Sequence, residues 1–133
     1  MTYSLPIFAD LTALLLRIVL GLIFVYHGAP KFFHPKANAR NFREMGFRPA
    51  AAWGFLAASL EFLGGIALII GLATQLVSGL FALEFIIIVF WKLKGGHSFK
   101  GDMDFDLLIL ASAFLIFSVG PGVFSLGGLW SGF

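Results

Sequence analysis

The chain has no cysteine. Disulfides, thiolate metal sites, thiol nucleophiles and dithiol relays are therefore excluded for this chain acting alone, and any redox role needs a borrowed cofactor. Charge is nearly as scarce: nine Lys and Arg with seven Asp and Glu amount to 12% of 133 residues, against 59% hydrophobic. A mean hydropathy of +0.96 lies far outside the range of water-soluble folds. Histidine occurs three times, as His27, His34 and His97, with no two on one apolar run at ligand spacing, so no metal site is expected. The formal charge of +2 would point to an acidic partner in a soluble protein. In so apolar a chain membrane topology accounts for Lys and Arg first, and nucleic acid is not an expected partner. No internal repeat or low-complexity segment is evident.

What is present is a set of long apolar runs. A span needs about 20 apolar residues to cross roughly 30 Å of hydrocarbon. Four segments approach that length: about Ile7 to Ala29, ending at Pro30; about Ala50 to Gly71; about Gln75 to Trp91; and about Phe105 to Gly120. The last is the shortest and requires either the Pro121 to Leu126 stretch as a continuation or local thinning of the bilayer. The expected fold is thus an all-α integral membrane protein, a bundle of four transmembrane helices. Met1 to Asp10 carries no basic n-region, so the first run reads as a retained helix. Eight of the nine basic residues lie in the first and third connections, as Lys31, Lys36, Arg40, Arg43 and Arg48, then Lys92, Lys94 and Lys100. The positive-inside rule makes those connections cytoplasmic and puts both termini and the Leu72 to Thr74 turn on the outer side. The expected location is the cell (inner) membrane. A short surface helix is expected from Asn38 to Met45, with Gly46 as its cap, Phe42 and Met45 toward lipid and Arg40 and Arg43 at headgroups.

Ionisable residues inside a span cost roughly 2.5–3.5 kcal/mol each on insertion scales, so they normally face the bundle interior. Counted from the outer ends of these spans, Arg17, Glu61 and Glu84 each lie some ten residues in, about 15 Å deep. That shared level predicts that the three side chains meet. One guanidinium against two carboxylates leaves a surplus negative charge, which favours a retained proton, a cation or a polar ligand. The plain alternative is a buried ion pair that fixes helix register. A second polar tier is expected nearer the cytoplasmic side, from Tyr26, His27 and Lys31 at the end of the first helix and Asp104 and Asp106 opening the fourth. Either aspartate also suits the positive end of that helix. Small residues follow the same faces: Ala57, Glu61, Gly64, Gly65 and Leu68 form one stripe, and Arg17, Gly21, Phe24 and Gly28 another. Such stripes let backbones approach closely.

Taken in order, Leu16-Arg17 with Gly21, Tyr26-His27-Gly28 and Lys31, Met45-Gly46-Phe47, Glu61-Phe62-Leu63-Gly64-Gly65, Leu68, Gly71-Leu72-Ala73-Thr74, and Gly120-Pro121-Gly122 with Ser125-Leu126 resemble the DoxX family of small bacterial and archaeal membrane proteins. The resemblance implies one four-helix membrane domain over residues 1–133 and marks Arg17, His27, Lys31 and Glu61 as family-typical polar positions, none of them thereby catalytic. Some relatives are implicated as membrane subunits of oxidoreductase assemblies, among them an archaeal thiosulfate to quinone oxidoreductase. Two departures stand out: Gly127 follows Ser125-Leu126 where the family often has an acid, and three aspartates, Asp102, Asp104 and Asp106, compete for the position that opens the fourth helix. The function this implies is a partner-dependent membrane subunit of a redox system, not a catalyst alone. A quinone is the candidate cofactor, with the lipid bilayer, soluble or membrane redox proteins and a second copy of the chain as candidate partners. The alternative is a small proton- or solute-transporting protein, or a scaffold, with no redox role.

Overall fold

A computed structural model describes residues 5–126, with side chains from residue 7. Gly127 and both chain ends lie outside the described residues. Five α-helices follow one another: α1 Leu5–Phe33, α2 Pro35–Glu44, α3 Ala50–Ile70, α4 Thr74–Lys94 and α5 Asp104–Val119, with an irregular π-type turn over Phe99–Met103 before α5. Among the described residues there is no strand.

Three helices are long and apolar enough to cross a membrane: α1, α3 and α4. The fourth expected span, α5, has 16 residues, about 24 Å at 1.5 Å per residue. It nevertheless completes the bundle. Leu20 and Phe24 of α1, Leu68 of α3, Val77, Phe81, Ala82 and Phe85 of α4, and Ile109, Ala113 and Ile116 of α5 form one buried core. At its centre the rings of Phe24 and Phe81 stack with centroids 3.6 Å apart. Around this core the remaining large apolar side chains point outward, as a bundle in lipid requires.

The tightest seam joins α1 and α3. A Cβ on Gly21 would stand 2.6 Å from the Gly65 carbonyl oxygen, and one on Gly28 2.6 Å from the Phe62 nitrogen and 2.7 Å from Glu61 Cβ. The two small-residue stripes thus face each other and bring the backbones into contact, the packing mode that lipid-embedded helices favour. The turn from α3 to α4 follows from Gly71, which takes φ 77° and lets the Leu72 N–H reach back to the Ala67 carbonyl at 2.9 Å.

Two local expectations are corrected. Helix α1 does not stop at Pro30 but continues to Phe33. A helix tolerates the missing N–H where neighbouring helices hold it, and the His34 N–H still reaches the Pro30 carbonyl at 3.0 Å. The short helix starts at Pro35, where a proline suits the first helical position, and ends at Glu44, with Gly46 at φ 94° just beyond. Phe42 turns inward instead of toward lipid, since it closes on Gly54 and meets Phe47 with centroids 5.6 Å apart. The tie beneath it is polar: buried Asn38 donates from Nδ2 to the Gly54 carbonyl at 2.7 Å. Asn38→Ala should lower stability by about 1–2 kcal/mol by removing that buried hydrogen bond, measured as an earlier midpoint on titration with denaturing detergent.

Candidate functional site

Continuation of α1 through Pro30 has a chemical consequence. Arg17, Gly21, Phe24, Gly28 and Lys31 recur at spacings of four and three, so Lys31 is the next residue of the buried stripe. Gly28 lets α3 approach, and one turn on the Lys31 ammonium reaches Glu61, 3.0 Å from Oε2 and 3.2 Å from Oε1. Glu61 is 4% exposed, whereas the Lys31 side chain is 40% exposed and connects the carboxylate to the surface of the bundle. From the middle of α4, Glu84 turns its carboxyl group toward Glu61, close enough for the two to interact electrostatically. Its Oε2 is buried with no hydrogen-bond partner.

The structure therefore brings Glu61 and Glu84 together, but the cation beside them is Lys31. Arg17 is placed elsewhere. Its guanidinium, wholly buried, donates to the Leu68 carbonyl at 3.0 Å, to the Ile69 carbonyl at 3.4 Å and to the Phe124 carbonyl. Leu68 and Ile69 lie seven and eight residues along α3 from Glu61, about 10–12 Å. The expected three-way meeting fails because the outer ends of α1 and α3 are not level. With Gly21 against Gly65 and Gly28 against Glu61, α1 runs on past the end of α3, and residue 17 falls at the last turn of α3. There Arg17 meets the helix-end carbonyls of Leu68 and Ile69 at the negative pole of α3 and ties the chain around Phe124 over them.

The second polar tier divides into separate contacts. Lys31 joins the glutamates. Tyr26 is 79% exposed, and His27 is exposed too, with Nδ1 2.7 Å from the Ile23 carbonyl and its ring 6.2 Å from that of Phe105. Asp104 accepts from the Phe105 N–H at 2.9 Å in the first turn of α5, at its positive end. Asp106, the buried aspartate, pairs with Lys92, which also donates to the Asp102 carbonyl at 2.7 Å. The Ser98 hydroxyl and N–H both donate to the Asp102 carboxylate, holding it below the usual aspartate range. Sequence reasoning missed Lys92. The signal was its place in the last turn of α4, which runs to Lys94 instead of stopping at Trp91.

The DoxX family model matches residues 12–93, which run from within α1, seven residues after its start, to the last residue but one of α4. The chain belongs to the DoxX family. A curated member, the Bacillus subtilis (strain 168) protein named "Putative oxidoreductase CatD", is 36% identical over 105 residues, covering 78% of this chain and 75% of that protein. No solved structure matches. The DoxX match contains Arg17, Lys31, Glu61 and Glu84 and excludes α5 with Asp104 and Asp106. The carboxyl pair and its lysine thus belong to the DoxX portion of the chain, and the Lys92–Asp106 pair joins that portion to α5.

Proposed function

We propose that this DoxX protein is a membrane subunit of a redox system in which Lys31, Glu61 and Glu84 bind the polar head of a quinone and pass the proton that accompanies its reduction. The observation that carries the reading is the meeting of two carboxyl groups with a single ammonium inside an apolar bundle. One ammonium cannot balance two carboxylates in a low-dielectric surround, so the cluster has room for one further proton or hydrogen-bond donor. Reduction of a quinone to a quinol takes two electrons and two protons. The electrons come from a partner redox protein, because the chain has no cysteine. The name of the Bacillus subtilis relative supports the redox half of the reading.

In this reading α5 is the fourth crossing, its short length met by local thinning of the bilayer. The Lys- and Arg-rich connections face the cytoplasm, both termini face outward, and the membrane is the inner one. A second copy of the chain is a candidate partner, since four helices alone enclose little space.

The test is thermal unfolding of the purified protein with a short-chain ubiquinone analogue. Saturation near a hundred times Kd should stabilise the protein by about 2.7 kcal/mol. Glu61→Gln with Glu84→Gln should remove that gain while leaving the apo protein folded. Absence of protection in the unmodified protein would end the quinone reading. Proton flux in proteoliposomes holding this protein alone would replace it by transport.

A further inference from the structure

The outer face of α4, turned away from the core, carries an open apolar groove. It is lined by Ile86, Ile87, Phe90, Trp91 and Lys94 of α4, with Phe47 from the connection between α2 and α3, and has a volume of about 560 Å³. Four of these side chains are large, apolar and exposed. Lys94 Nζ lies over the Phe90 ring, 5.2 Å from its centroid, so its hydrocarbon stem runs along the groove and its charge stands at the end. Charge at this rim is uncompensated. Lys92 is paired with Asp106, whereas among the described residues neither Lys94 nor Arg48, the residue after Phe47, meets a carboxylate. Trp91, in the same turn as these lysines, is the residue type that settles at the level of headgroups.

We infer that this groove seats an anionic phospholipid, one acyl chain along Ile86, Ile87 and Phe90 and the phosphate between Lys94 and Arg48. An apolar trough lined by the unpaired Lys94, with exposed Arg48 next in sequence to the lining residue Phe47, matches the two parts of such a lipid: hydrocarbon along the trough, negative charge at its cationic end. A neutral zwitterionic lipid satisfies the trough but not the cations, because its own ammonium compensates its phosphate. A protein helix would have to supply carboxylates at one end only. The site is distinct from the glutamate pair, since neither Glu61 nor Glu84 lines the groove.

The experiment uses the whole chain in phosphatidylcholine vesicles that carry a minor share of either brominated phosphatidylglycerol or brominated phosphatidylcholine. Quenching of Trp91 is taken as the difference between the native protein and Trp91→Phe, which removes the signals of Trp53 and Trp130. Phosphatidylglycerol should be preferred roughly twenty-five-fold at Trp91, and each of Lys94→Gln and Arg48→Gln should cut the preference roughly five-fold, the weight of one cation at a charged surface. The conservative Lys94→Arg should keep it. Equal quenching by the two lipids, or a preference that survives Lys94→Gln combined with Arg48→Gln, overturns the assignment. Unchanged quenching by phosphatidylcholine in those variants shows that the fold and the trough are intact.

Discussion

Arg17→Ala is expected to be among the most destabilising single changes in the molecule, by about 3–5 kcal/mol. Three effects act together. The Leu68 and Phe124 carbonyls lose a charged donor, and a hydrogen bond to a charged group contributes about 1.5–3 kcal/mol. The last turn of α3 loses a positive charge at its negative end. Truncation also leaves a cavity beside Gly71 and Ser125, because Arg17 is fully buried there. Arg17→Lys should recover only part of the loss, since one ammonium on a flexible stem replaces a planar fork that reaches carbonyls on two different segments. The measurement is the unfolding midpoint in a denaturing detergent titration. A double-mutant cycle with Glu84→Gln sharpens it. Had Arg17 balanced the two carboxylates, removal of one carboxylate would rescue Arg17→Ala. With the guanidinium about 10 Å or more from that pair, the two changes should add within about 0.5 kcal/mol. Clear rescue by Glu84→Gln would contradict the placement of Arg17 at the end of α3.

The contrast between Arg17 and Lys31 shows which parts of the site were legible in the sequence. Composition and run length were enough for an all-helical membrane protein, and the spacing of Gly21, Gly28, Gly64 and Gly65 was enough to choose the faces on which helices meet. The DoxX resemblance carried by the same residues is shown by comparison. Depth was not legible. Counting inward from predicted span ends assumes that all helices begin at one level, whereas α1 has 29 residues and α3 has 21, and their relative shift is set by where glycines let backbones touch. Extending the Arg17–Gly21–Phe24–Gly28 stripe by three residues would have reached Lys31. Pro30 discouraged that step, because the local rule that proline ends helices is overridden when packing against α3 holds the turn. The pairing of Glu61 with Glu84 was legible because both lie near the middle of helices of equal length joined by a three-residue turn, so errors in their ends cancel. Lys92 was hidden for the opposite reason, lying beyond the expected end of its helix.

Packing and charge meet at one residue, and that residue supplies the second large effect. Gly28→Val should lower stability by about 3 kcal/mol, the upper part of the range for overpacking, and should impair the carboxyl cluster. The ideal Cβ at this position would already stand 2.6 Å from the Phe62 nitrogen and 2.9 Å from the Glu61 carbonyl carbon. Those are backbone atoms in a long helix, so no rotamer change relieves the contact and α1 must move away from α3. Separation by even an ångström acts directly on the ion pair one turn further on, where Lys31 lies 3.0 Å from Glu61. Gly28→Ala should show the same direction with a smaller loss. A control distinguishes a general loosening of the bundle from a specific loss at the cluster: a Cβ at Gly64 meets the Phe81 ring at 2.9 Å and Val77 at 3.2 Å, side chains of α4 and not the backbone of α1. Gly64→Ala should cost less and leave Lys31 on Glu61. Crosslinking between cysteines introduced at facing positions of α1 and α3 reports the separation of the helices, and quinone protection reports the cluster. A Gly28→Val protein with native crosslinking and native stability would mean that the α1–α3 seam is not the close contact described, and the route by which α1 delivers Lys31 to Glu61 would fall with it.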